Sequence, residues 1–277
     1  MIKVAILDLY EGHPNQGMRC IREILAQFIS YTNTELFVQE FDVRKKEEVP
    51  DLSYHIYISS GGPGSPLPNH EKWETLYFGW LNQVENWNKT EADKKHVFFI
   101  CHSFQLASRH YQVAQVTQRK STSFGVFPIH LMDNAHQEPV FKNLRDPFYV
   151  VDSRDYQVVQ PNHARLREIG GTILCIEKDR PHVPHERAIM GIRFNQYFVG
   201  TQFHPEADAV GMSIHLKTEE RKKTVIDAHG EPKWQSMIEQ LSDPDKILYT
   251  HDHILPNFLN SAVAQIKENS GRLVEIA

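Results

Sequence analysis

Short, almost wholly apolar runs alternate with longer stretches in which apolar residues recur every three or four positions. Val4–Leu9 and Val97–Ile100 are of the first kind, the pattern of strands covered on both faces of a parallel sheet. Leu36–Phe41 and His55–Ser59 read as two more strands. Met18–Ile29 repeats apolar residues at Met18, Ile21, Ile24, Leu25 and Phe28, and Trp73–Trp87 does so from Trp73 to Trp87. Both are helix periods, and Gln105–Tyr111 predicts another helix. The alternation implies an α/β fold: a doubly wound, mostly parallel sheet.

The middle of the chain changes character. Gly125–Leu131, Phe148–Val151, Gln157–Val159, Thr172–Ile176, Ala188–Phe194 and Tyr197–Phe203 are short strand-like runs with little helix between them. Antiparallel hairpins added to the sheet are expected, with Asn195-Gln196 as the turn between the last two runs. Beyond His204 the chain turns polar. Lys217–Lys223 reads as a solvated helix face. Trp234–Leu241 and His253–Ile266 read as helices, with Pro256 near the start of the second, where proline is tolerated. No Gly/Ser/Pro-rich linker marks a boundary. The expected organisation is one domain over 1–206, with 207–277 as a C-terminal helical extension packed on it.

Charge narrows the function. Among 277 residues, 30 Lys and Arg face 35 Asp and Glu, a net charge of −5. A nucleic-acid or anionic-membrane binder would usually show a basic excess, and no window approaches the roughly 20 apolar residues that span a bilayer. Met1–Asp8 is too short an apolar run for a signal peptide. Cys20, Cys101 and Cys175 lie far apart and form no disulfide framework or CxxC knuckle; reduced thiols in a cytoplasm fit best. His182-x-x-His185 and His251-Asp252-His253 have no cysteine neighbours and there is no HExxH, so they read as surface or packing histidines and no metal is expected.

Three segments carry candidate chemistry. In Val97–Gln105 a cysteine ends a strand and a helix follows at once. That is a nucleophile elbow with Cys101 as the nucleophile, and a helix N-terminus favours a thiolate; the alternative is a buried core cysteine. In Gly200–Glu206, His204 and Glu206 stand two apart, so in extended backbone they project to one side. A carboxylate beside an imidazole fixes its tautomer and raises its basicity. In Ser60–Pro66, glycines let backbone N–H groups approach a substrate oxygen and could supply an oxyanion-hole donor. A phosphate cradle or a tight turn are the alternatives, although the loop lacks the Gly-Lys-Ser/Thr of a P-loop, and Gly64 stands where the pyrophosphatase loop SGGxDS needs its Asp.

In chain order the segments resemble the class I (triad-type) glutamine amidotransferase domain, closest to GMP-synthase-like members. That family shows a loop like SGGPGS, an elbow of form GxCxGxQ and a final GxQFHPE; here they read Ser60–Ser65, Phe99–Gln105 and Gly200–Glu206. The likeness covers roughly residues 1 to 206 and implies a flavodoxin-like sheet. It implies that Cys101 attacks the glutamine carboxamide, that His204 shuttles the proton and that Glu206 orients His204. Backbone N–H groups of Gly62 and His102 would hold the oxyanion. Gln105, Gly61, Asn162 and His163 would contact substrate, the last two from the segment Gln160–His163. Glutamine is then the substrate, a separate synthetase the ammonia acceptor, and no cofactor is implied. A γ-glutamyl hydrolase or peptidase on the same fold, or a catalytically impaired binding protein, are the rival readings. Phe99 and Ser103 replace the family's elbow glycines, and Phe99 is expected to need space that the usual fold does not leave. The His102 imidazole is expected to face solvent, contact with substrate being the alternative. The extension 207–277 could cover the site, make a homodimer contact or dock a partner; helices packed on the sheet edge are expected.

Overall fold

A computed structural model describes residues 1–13, 15–180, 186–243 and 245–276, with side chains up to residue 269. The chain opens with β1 (Ile2–Asp8), α1 (Gln16–Thr32), β2 (Leu36–Asp42), β3 (Ile56–Ser59), α2 (Lys72–Thr90), β4 (His96–Ile100) and α3 (His102–His110). It continues through β5 (Gln115–Leu131), β6 (Phe148–Val159), α4 (His163–Ile169), β7 (Thr172–Glu177), β8 (Ile189–Arg193) and β9 (Phe198–Thr201). Five helices follow: α5 (Ala209–Leu216), α6 (Glu219–His229), α7 (Glu231–Leu241), α8 (Ile247–His251) and α9 (Ile254–Ile276).

The strands form one sheet in the order β2-β1-β3-β4-β9-β8-β7-β5-β6. Pairing is parallel from β2 to β9 and antiparallel from β9 to β6. The alternating sequence thus builds the doubly wound half, and the strand-rich middle supplies the hairpins. Asn195 makes the expected β8–β9 turn, its side-chain oxygen accepting from the Tyr197 and Phe198 amides.

Alternate residues of β4 serve different layers. Phe98 and Ile100 face α1 and α9, where Phe98 meets Phe258 edge-on at 5.2 Å. Val97 and Phe99 face the layer of α2 and α3. A third apolar cluster joins α5–α8 to Val126 and Val151 of the β5–β6 hairpin. The extension therefore contributes α9 to a central layer and α5–α8 to the hairpin.

Five elements differ from the sequence expectation. β6 is one strand rather than two, and the polar stretch that seemed to split it contains Asp152 and Arg154, both buried and paired with each other. α3 begins at His102, because His102, Ser103 and Gln105 are buried and a reading by apolar period passes over them. α4, α5 and α8, of 7, 8 and 5 residues, are too short for an apolar period to show. The charge run is solvated as expected: in α6 only Val225 is buried. His182 and His185 lie outside the described residues. His253 Nδ1 donates to Tyr249 O and His251 bonds Asp252, so that pair packs locally.

Phe99 finds its space across the ladder. It stands opposite Gly200 of β9, is fully buried, and packs edge-on against Phe194 at 5.6 Å. A Cβ at position 200 would lie 2.9 Å from both the Cβ and the carbonyl oxygen of Phe99. The room this elbow needs comes from the neighbouring strand. Gly200→Ala should therefore lower unfolding stability by about 1–3 kcal/mol through overpacking, and Phe99→Ala by about 3–5 kcal/mol. Urea unfolding checks both; a neutral Gly200→Ala would show that the pair is not tightly packed.

Candidate active site

The parallel strands β1, β3, β4 and β9 all end at one edge, where strand order reverses around β1 and β3. Crevices at such a switch point are where open α/β sheets bind ligands. Each of these strands delivers one piece of the candidate site.

β4 delivers Cys101. Its backbone, at φ 50° and ψ −99°, lies outside the regions open to ordinary residues, a strain of about 1–3 kcal/mol held by its surroundings. Those surroundings are specific. The Cys101 amide donates to Thr201 O at 2.8 Å. Ser103 Oγ accepts from the Ile100 amide at 2.8 Å and donates to Ser59 O at 2.7 Å. The serine that replaces a family glycine thus ties the elbow to the end of β3. Cys20 and Cys175 sit elsewhere: burial pushes the Cys20 thiol up to about 11 and that of Cys175 well above its ordinary value.

The segment after β9 delivers His204 and Glu206. The His204 amide donates to Val151 O across an isolated bridge to β6. Its Nδ1 lies 2.8 Å from Glu206 Oε1, and Glu206 is 1% exposed. Burial pulls the imidazole's pKa down. The Glu206 charge, the Cys101 sulfur and hydrogen bonds to both outweigh that effect, and the net shift is well above the ordinary value. Gly61 marks where thiol and imidazole meet: a Cβ there would stand 2.9 Å from His204 Cε1 and 3.5 Å from Cys101 Cβ.

β3 delivers the glycine loop. At Gly62 a Cβ would come within 2.4 Å of Leu9 O, so only glycine fits against the end of β1. Among the described residues nothing accepts the backbone N–H of Gly62 or of His102, which leaves both able to donate to a ligand. Arg44 pins the loop, donating through Nη1 to Pro63 O at 2.6 Å while its guanidinium lies over Trp73.

The His102 imidazole does not face solvent, contrary to expectation. It is 2% exposed, 6.4 Å from Trp73, and its Nε2 has no partner among the described residues. Burial, with Arg44 and Arg109 nearby, lowers its pKa to about 3, so it stays neutral.

Gln105 is buried on the other flank, donating to Tyr156 O at 3.3 Å and to Gln202 Oε1 at 3.0 Å. Gln202 in turn points Nε2 at Cys101 Sγ, 3.8 Å away. Ser153 O of β6 lies 3.9 Å from the same sulfur. The fold thus brings together Cys101, His204, Glu206, Gly61, Gly62, His102 and Gln105. It does not bring Asn162 and His163 to them. The Asn162 amide bonds Val113 O beyond the far end of α3, its side chain caps α4, and both residues are exposed. The stretch of this hairpin that faces the thiol is Ser153–Tyr156.

Sequence reasoning missed Tyr10, Gln202, Ser153 and Arg44. Gln202 lies inside the GTQFHPE heptapeptide, which was signal enough to find it. Tyr10 follows β1, and its hydroxyl would be 3.0 Å from a Cβ at Gly61 and 2.5 Å from one at Gly17, where Glu206 Oε1 is also near. Burial, Glu206 and Cys101 push that phenol well above its ordinary pKa, so it stays neutral beside them.

Because the His204 pKa is raised, the stability tied to its charge is complete below the ordinary value of 6.5 and fades as pH climbs through the raised one. Glu206→Gln removes the raising carboxylate. The His204 titration followed by imidazole NMR should move to lower pH; an unmoved titration would mean that Glu206 does not hold the imidazolium.

A family model described as glutamine amidotransferase class-I matches residues 6–216. No curated protein matches the sequence. Among solved structures, a glutamine amidotransferase from Thermotoga maritima superposes with a TM-score of 0.67 at 16% identity, covering 95% of this chain and 98% of that one. A glutamine amidotransferase from Methylobacillus flagellatus gives 0.61 at 11% identity, with 97% and 94% covered. The glutaminase domain of a Trypanosoma brucei protein, solved with acivicin bound, gives 0.55 at 13%, with 74% and 86% covered. At these identities the structures speak to the fold, and the family match speaks to kinship: the chain belongs to the class-I glutamine amidotransferases.

Proposed function

We propose that the protein hydrolyses the side-chain amide of glutamine to glutamate and ammonia, with Cys101 as nucleophile. The observation that carries this reading is the grouping at one sheet edge of a strained cysteine, a histidine that meets it at Gly61, and a buried glutamate behind that histidine. Cys101 Sγ attacks the carboxamide carbon, and the carbonyl oxygen becomes an oxyanion between the N–H groups of Gly62 and His102. His204 carries the thiol proton to the leaving nitrogen. The C–N bond breaks, ammonia departs and a γ-glutamyl thioester remains. Water, deprotonated by His204, then attacks the thioester; the C–S bond breaks and glutamate leaves with the thiol restored. Glu206 keeps the imidazole in one orientation throughout.

The departures from the family elbow support activity rather than decay, since Phe99 is accommodated by Gly200 and Ser103 adds two hydrogen bonds. In this reading the ammonia passes to a separate synthetase, and a thiol nucleophile suits a reducing cytoplasm. No helix among the described residues is long and apolar enough to cross a membrane.

Cys101→Ser should reduce ammonia release from glutamine by at least about 10³-fold while the thermal melt stays near wild type. If wild-type protein ignores glutamine yet cleaves other γ-glutamyl amides, the amidotransferase reading gives way to the hydrolase one. Arg44→Ala frees the loop bearing Gly62 and should lower kcat by up to about 10²-fold, within the value of one oxyanion donor, with KM little changed. An unaltered kcat would show that the loop holds its shape without the arginine.

A further inference from the structure

We propose that the cavity between β5, β7 and the α6–α7 turn binds a small phosphate-bearing anion. The cavity measures about 310 Å³, and Phe127, Lys178, Arg180, Lys233 and Arg119 are among its lining residues. None of the residues assigned to amide cleavage lines it.

Five cations, Arg119, Arg154, Lys178, Arg180 and Lys233, gather around two carboxylates, Asp152 and Glu177. Both carboxylates are already committed. Asp152 takes Arg154 Nε at 3.0 Å and the Ser123 hydroxyl at 2.6 Å. Glu177 takes Arg154 Nη2 at 3.0 Å, Arg180, Arg119 at 3.6 Å and the Ala188 amide at 3.1 Å. Lys178 and Lys233 have no acidic partner among the described residues. Their ammonium groups lie 4.8 Å and 4.6 Å from the centre of one ring, Phe127. Each is half-buried.

Two half-buried ammonium groups over one ring repel each other, and a compact anion in the cavity would offset that repulsion. The backbone is shaped for this arrangement. Gly125, at φ 139°, leaves the room that Lys233 Nζ occupies, since a Cβ there would lie 2.7 Å from that nitrogen. Burial and Lys178 both depress the Lys233 pKa, the strain that an anion would relieve. Phe124 and His229, stacked at 5.2 Å and 14° on the same wall, offer a flat apolar edge beside the charged floor. Asp152, which lines the cavity, is next in sequence to Ser153, whose carbonyl oxygen lies 3.9 Å from the Cys101 sulfur.

Isothermal titration of the full chain with pyrophosphate, inorganic phosphate and citrate tests the site without using amide cleavage. Pyrophosphate or phosphate should bind at one saturable site, more tightly than citrate. Lys178→Gln with Lys233→Gln should weaken binding about tenfold or more, as loss of charge-assisted hydrogen bonds requires. The paired Arg replacements, which keep the charge, should retain it. Lys222→Gln, a lysine over Trp234 outside the cavity, should change nothing. Absence of saturable phosphate or pyrophosphate binding would overturn the proposal, as would citrate binding at least as tightly. So would equal affinity in the double Gln variant, or equal loss in Lys222→Gln. A circular-dichroism melt of each variant separates lost binding from lost folding.

Discussion

The site depends on one strained residue. Cys101 must leave β4 and open α3 in a single step, and its backbone takes a conformation that costs energy everywhere else. The surrounding sheet holds it there: Thr201 O fixes its amide, Ser103 ties Ile100 to the end of β3, and Gly200 yields to Phe99 so that β4 and β9 can close. With the turn held, the sulfur stands at the sheet edge, beside the imidazole that β9 brings and the glycine loop that β3 brings. None of these groups is near another in sequence; parallel pairing alone aligns the strand ends that carry them.

Buried polar groups organise the remainder. Gln105 reaches Gln202, and Gln202 reaches the Cys101 sulfur, so the first turn of α3 is fastened to the segment that carries His204. On the far side of β6, Arg154 lies buried between Asp152 and Glu177. Breaking such a pair leaves an uncompensated buried charge, which is strongly destabilising. These networks hold the strands that frame the thiol at fixed spacing.

Much of this was legible from sequence because it rests on apolar period and local motif. The parallel strands, α1, α2 and the hairpin turn at Asn195 follow from hydrophobic spacing, and the elbow, glycine loop and HPE segment stand out as short motifs. What was not legible depends on polar residues that fold inward. Arg154 and Asp152 hid the continuity of β6; His102 and Ser103 hid the start of α3. Asn162 and His163 were given substrate contacts by likeness to a family segment, but the hairpin carries them past the far end of α3, while Ser153 occupies the place beside the thiol. Tyr10 and Arg44 contribute through distances that only the folded chain sets.

Cysteine chemistry at position 101 is tested most directly by incubating the protein with a diazoketone analogue of glutamine and mapping the adduct by peptide mass spectrometry. The account predicts one adduct, on the peptide bearing Cys101, suppressed by excess glutamine. An adduct on Cys20 or Cys175 instead, or none under conditions where the protein is folded, would contradict it.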